Sequence, residues 1–109
     1  MTRGRFSVNR LVELVSTTPA KPFGLFPRKG TIAAGSDADL VILDPHKEET
    51  ISAKTHHMRV DYSMFEGIHV KGMPRQVLVG VKLTIDDGKF VGHAGQGQFL
   101  RRQTYSGLV

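Results

Sequence analysis

Cysteine is absent from the 109 residues, so no disulfide and no thiolate-held zinc can brace the fold. Tryptophan is absent too, and aromatic residues make up only 7%. That leaves little to stack against nucleic-acid bases. No apolar run approaches the ~20 residues that a membrane helix needs. Met1-Thr2-Arg3-Gly4-Arg5 has no apolar stretch behind it of the signal-peptide kind. A cytoplasmic setting with no membrane partner is the default expectation. What is present, 39% hydrophobic and 23% charged residues, excludes a long disordered tail and a collagen-like repeat. The length gives room for one domain or for part of a larger one.

Charge is unevenly spread. Residues 1–30 carry six basic residues and one acidic, a net +5. Residues 31–70 carry three basic and seven acidic, a net −4, and residues 71–109 six basic and two acidic, a net +4. An acidic middle between basic ends is less a nucleic-acid face than a set of segments that complement one another or a partner.

The pattern predicts helices first and strands afterwards. Ser7 is a candidate N-cap for a helix in which Val8, Leu11, Val12 and Val15 share one face. Thr18-Pro19 reads as a second N-cap with proline at the first helical position, and Gly24 as the stop. From Gly30 the period changes. Thr31-Ile32-Ala33 is a short strand candidate, and Gly35-Ser36-Asp37 a turn. Leu40-Val41-Ile42-Leu43 is an unbroken apolar run ended by Asp44-Pro45. Such a run, without alternation, suits a strand covered on both faces. Glu49 to Ser52, Gln76 to Val79 and Val81 to Ile85 are further strands, with 53–72 an extended loop. Asp87-Gly88 is a hairpin turn closing onto Lys89-Phe90-Val91. About six short strands follow two helices, and too little helix remains to cover the run at 40–43. The expectation is part of a larger architecture, with contacts supplied by other chain.

No constellation of residues makes a credible active site. Three zinc ligands must converge within about 2 Å of one ion, and the adjacent His56-His57 point to opposite sides of an extended chain. His46, His69 and His93 complete the histidines, and loop histidines bonded to nearby backbone are the favoured reading. Asp37 and Asp39, flanking Ala38, share a side in an extended chain and suit Mg²⁺. Carboxylates beside a Gly-Ser turn more often accept backbone N–H groups there. Gly92, Gly95 and Gly97 match no nucleotide fingerprint.

One stretch carries a resemblance. Arg28-Lys29-Gly30-Thr31-Ile32-Ala33-Ala34-Gly35-Ser36-Asp37-Ala38-Asp39-Leu40-Val41-Ile42-Leu43-Asp44-Pro45 resembles the Gly-x-Ile-x-x-Gly-x-x-Ala-Asp-Leu-Val signature of the amidohydrolase superfamily. Ser52-Ala53-Lys54-Thr55-His56-His57-Met58, with Val60-Asp61-Tyr62 and Phe65-Glu66-Gly67, resembles the hydantoinase/dihydropyrimidinase branch. So does the tail from Gly95 to Arg102. The sequence departs from that branch at Ser63-Met64, where Asn-Pro is usual, and at Gly80-Val81, where Arg-Gly is common. Pro22 replaces an apolar helix residue.

The resemblance implies a mainly β fold with short N-terminal helices. It would be the C-terminal half of an amidohydrolase composite β-sandwich plus the last helical segments of the (β/α)8 barrel. Residues 1–27 would be terminal helices of the barrel and 28–92 the sandwich strands. Residues 93–109 would be a tail in possible subunit contact. It implies a parent enzyme that opens hydantoin or dihydropyrimidine rings with two divalent metal ions, usually zinc. The ligands of those ions lie upstream, on a barrel of about 200 residues or more. No catalytic, metal or substrate residue therefore carries over, no cofactor is expected in this chain, and the chain alone is expected not to be an enzyme. The expected partners are the missing barrel portion and further copies, as dimer or tetramer. Phe99, Leu100, Arg101 and Arg102 are the candidates for the subunit contact, since arginine pairs bidentately with carboxylates and phenylalanine anchors in pockets. A frayed, solvated tail is the alternative. Two other readings remain: a non-catalytic module like the collapsin response mediators, and a small basic nucleic-acid binder.

Overall fold

The computed structural model describes residues 4–104. Met1 to Arg3, and the last five residues of the predicted tail, lie outside the described residues.

Ser7 caps the first helix as expected, its Oγ accepting the N–H of Arg10 at 3.2 Å. The second helix does not start afresh. Helix α1 (Val8–Val12) runs on through a π-helical turn (Glu13–Thr17) into α2 (Thr18–Ala20) as one arm. Thr18 is helical (φ −63°, ψ −46°) and donates its N–H to the Glu13 carbonyl five residues back. This corrects the reading of Thr18 as an N-cap. Pro19 has no N–H to return to the carbonyl four residues earlier, so the widened turn ahead of it absorbs the defect instead of ending the helix.

The arm ends where Gly24 predicts. Gly24, at φ +69°, donates to Lys21 O at 3.0 Å, and Leu25 donates to Ala20 O at 2.9 Å. These two bonds form a Schellman cap with the glycine in the left-handed position. The connector then returns along the arm. Thr17 Oγ1 donates to Gly30 O at 2.7 Å, and a Cβ at Gly30 would lie 2.6 Å from that of Ala20. Only a glycine fits that approach.

Four strands form one antiparallel sheet in the order β1 (Leu40–Thr50), β2 (His69–Val79), β3 (Lys82–Asp86), β4 (Lys89–Phe90). Three expectations are corrected. Residues 31–33 form no strand, because no partner strand lies beside them to complete a ladder. The predicted strands at 40–43 and 49–52 are one, since β1 passes through Asp44-Pro45 with a register shift between Asp44 and Glu48. An edge strand tolerates proline in this way. The loop after it closes at Ile68, and β2 takes in His69 to Arg75 as well as the predicted Gln76–Val79.

Val81 belongs to a turn and not to a strand. Val79 pairs with Lys82, which leaves Gly80 (φ +56°) and Val81 (φ +72°) as a two-residue hairpin loop. Asp87 (φ +47°) and Gly88 (φ +79°) form the second such loop, as predicted.

Register fixes what each face carries. Val41, Val77, Ile85 and Phe90 pair in sequence across all four strands and share one face. Leu40, Leu78 and Leu83 form a row on the other. Both faces are apolar, as the unalternating run at 40–43 requires, yet neither is covered. Val41 is 60% exposed and Phe90 61%. The helical arm does not cover them, for it makes no contact with any strand. Among the described residues only Ala20 is a buried hydrophobic, at 6% exposure.

The consequence appears in the surface area. A folded monomer of 12.0 kDa exposes about 6000 Å²; this chain exposes 9107 Å². Its radius of gyration is 15.8 Å, against about 13 Å for a compact domain of this length. The excess of roughly 3000 Å² on this one chain is several times the roughly 800 Å² that each partner buries in a standard interface.

Candidate contact surface and charged clasp

The polar groups singled out by the sequence converge in two places: a charged clasp between connector and sheet, and the tail lying on the connector.

The clasp is built by Arg28, Lys29, Asp37 and Asp39. Lys29 Nζ pairs with Asp39 and lies 2.9 Å from Asp37 Oδ2. Arg28 Nε donates to Asp37 Oδ2 at 3.1 Å. Asp39 Oδ1 accepts the N–H of Gly80 at 2.8 Å, and the Ala38 carbonyl accepts that of Val81 at 3.1 Å. The connector is thus tied to the β2–β3 turn by two backbone donors. Neither sequence reading of these carboxylates fits. They do not cap N–H groups of their own turn, and their charge is met by the Arg28-Lys29 pair some ten residues earlier.

The charges shift accordingly. The Lys29 ammonium holds Asp39 below the ordinary carboxylate range, with help from the Gly80 N–H. Lys29 and then Arg28 do the same for Asp37. Asp39 and Asp37 in turn raise Lys29. Two other carboxylates are held down by backbone donors: Asp44 by the N–H groups of His46 and Lys47, Glu66 by that of Ala53 and the Ser52 hydroxyl.

The histidines are scattered. Nδ1 of His56 accepts the N–H of Met58 at 3.0 Å, and Nε2 of His57 lies 3.2 Å from the carbonyl of Gly88. His69 sits on β2, with Nε2 3.6 Å from Glu48. Among the described residues no three His, Asp or Glu side chains converge to hold an ion. The residues present therefore do not fit a two-metal centre.

The tail is asymmetric. Leu100 is half-buried, facing Leu25, Phe26 and Pro27 across a groove of about 100 Å³ that Arg28, Arg101 and Gln103 also line. Phe99 is 94% exposed, and Arg101 and Arg102 are exposed. Gln103 donates its N–H to the Gly24 carbonyl at 2.8 Å. Lys21 Nζ stands 5.3 Å from the Phe26 ring centroid beside this groove. Gln103 and the second role of Gly24 were not visible in the sequence; only the glycine's use as a helix stop left a local signal.

The amidohydrolase family profile matches residues 1–95. The D-hydantoinase of Geobacillus stearothermophilus is 53% identical over 107 residues, covering 98% of this chain and 23% of that protein. The solved structure of D-hydantoinase from Bacillus sp. AR9 superimposes with a TM-score of 0.93 at 51% identity, over 98% of this chain and 24% of that one. Dihydropyrimidinase from Brevibacillus agri NCHU1002 gives a TM-score of 0.94 at 48% identity, over 98% of this chain and 23% of that one. The chain thus spans about a quarter of the length of the relatives it matches. No helix among the described residues is long and apolar enough to cross a membrane.

Proposed function

The chain belongs to the amidohydrolase family, and from that premise we propose that it is the C-terminal supporting segment of a cyclic-amide hydrolase of the hydantoinase/dihydropyrimidinase kind. One observation carries the supporting role: a sheet with apolar rows on both faces, neither of them covered. Such a sheet is the inner layer of something larger. In this reading its strands complete a composite sandwich, and the helical arm packs on the barrel.

The substrate class follows from the relatives, which are hydantoinases and a dihydropyrimidinase. The parent enzyme would open the ring of a hydantoin or dihydropyrimidine using two divalent ions bound outside this chain. No step of that chemistry runs through the residues described above. The parent would be a homo-oligomer, with Phe99, Leu100, Arg101 and Arg102 at a subunit contact. The outward ring of Phe99 and the exposed Arg101 and Arg102 suit that use.

A chimera tests the reading. This chain replaces the matching quarter of the Geobacillus D-hydantoinase, and hydantoin hydrolysis is followed with zinc present. The expected result is a folded chimera that turns over, while the 109 residues alone show no metal-dependent hydrolysis of hydantoin or dihydrouracil. Turnover by the isolated chain with metal bound in stoichiometric amount sinks the proposal.

A further inference from the structure

The helical arm and the sheet do not touch, yet the chain ties them together at two points. One is the clasp from Lys29 and Asp39 to Gly80. The other lies at the far end of the chain, where the tail leaves β4 and crosses the connector.

That crossing is tight. An added Cβ at Gly24 would fall 1.9 Å from the Gln103 carbonyl oxygen and 2.8 Å from its carbon. Gly24 is therefore fixed twice over, by its left-handed conformation in the helix cap and by the backbone passing against it. The same residue that ends the arm offers its carbonyl to Gln103. Leu100 turns in toward Leu25 and Phe26, while Phe99 turns out. A frayed tail has no reason to alternate in this way.

We propose that residues 99–104 are a strap, seated on Gly24, that locks the helical arm to the sheet. With the strap seated, the arm is held from both sides, by the clasp and by the tail. With it lifted, the clasp and the connector alone remain, and the arm moves against the sheet together with the connector up to Gly30, which Thr17 holds to it. The strap thus makes one body of two parts that share no core. This goes beyond the supporting role proposed above and does not depend on which enzyme is supported.

Hydrogen exchange of the full 109-residue chain, followed by mass spectrometry, tests the strap. Gln103→Pro removes the N–H given to Gly24. Gly24→Ala fills the seat. In the unaltered chain the amides of 99–104 exchange more slowly than in a free peptide of the same sequence. Gln103→Pro raises exchange in 99–104 and also in 8–20 by about five- to tenfold, the scale of one lost hydrogen bond, and leaves 69–79 unchanged. Gly24→Ala does the same. Because that substitution also strains the helix cap, Gln103→Pro decides between the two. Free-peptide exchange at 99–104 in the unaltered chain overturns the proposal, whatever the sheet does. So does a Gln103→Pro chain whose tail is released while the arm exchanges as before. Neither result bears on hydrolysis by the chimera, so the two proposals fail separately.

Discussion

Asp39 and Gly80 stand 41 residues apart and are joined by a 2.8 Å hydrogen bond from the Gly80 N–H to the Asp39 carboxylate. The bond closes a long loop beside the one from the Val81 N–H to the Ala38 carbonyl, and Lys29 balances its charge. Asp39→Asn keeps the shape and removes the charge; Asp39→Ala removes both. We expect Asp39→Ala to lower stability by about 1 kcal/mol, with solvent screening of the half-exposed pair holding it near that figure. Asp39→Asn should cost less. Urea titration of both variants checks the order.

Acid should undo the same network. Asp37, Asp39, Asp44 and Glu66 all have lower folded than unfolded pKa values. Each adds stability that is present above its ordinary value and lost as pH falls through the depressed one. Lys29 is raised, so its share is complete below 10.5 and lost as pH climbs through the higher folded value. The denaturation midpoint should therefore drop below about pH 4. In Lys29→Met the acid-side drop should shrink, because Asp37 and Asp39 lose their main partner.

Val81 is a β-branched residue in the left-handed region, at φ +72°. That conformation costs a non-glycine residue about 1–2 kcal/mol, and glycine recovers most of it less its own entropy. Val81→Gly should raise stability by about 0.5–1 kcal/mol. The side chain is exposed, so no packing is lost with it. A thermal melt that is unchanged or lower would show the turn to be unstrained.

The uncovered faces make a different kind of prediction. Val41→Asp places a charge on an exposed side chain, so the isolated chain should lose less than about 1 kcal/mol. In the chimera the same substitution buries that charge, and soluble yield and hydantoin turnover should both collapse. Equal behaviour in the two settings would mean that the Val41–Phe90 face stays bare in the enzyme.

Local signals were readable in the sequence and distant ones were not. Ser7, Gly24 and Asp87-Gly88 act within four residues, and each does what its chemistry predicts. The strand at 40–43 showed itself by its unbroken apolar run. Pro19 misled because a missing N–H marks a helix start as well as a π turn, and only the fold distinguishes them. Thr31-Ile32-Ala33 has strand-like residues but no neighbour to bond, and a ladder needs two sides. Pro45 suggested a strand end because an edge position cannot be read from composition. The partners of Asp37 and Asp39 were hidden by separation along the chain, and so was the hold of Gln103 on Gly24. The amidohydrolase signature marked where the clasp lies without saying what its carboxylates bind.

A strand in most small β proteins has an outward side on which substitutions drift with little effect. Here Val41 and Ile42 are neighbours in sequence yet belong to opposite apolar faces. Neither position is free to become polar if both faces are claimed. Latitude then falls to the exposed turns between strands, and it is there that members of this family should be found to differ most.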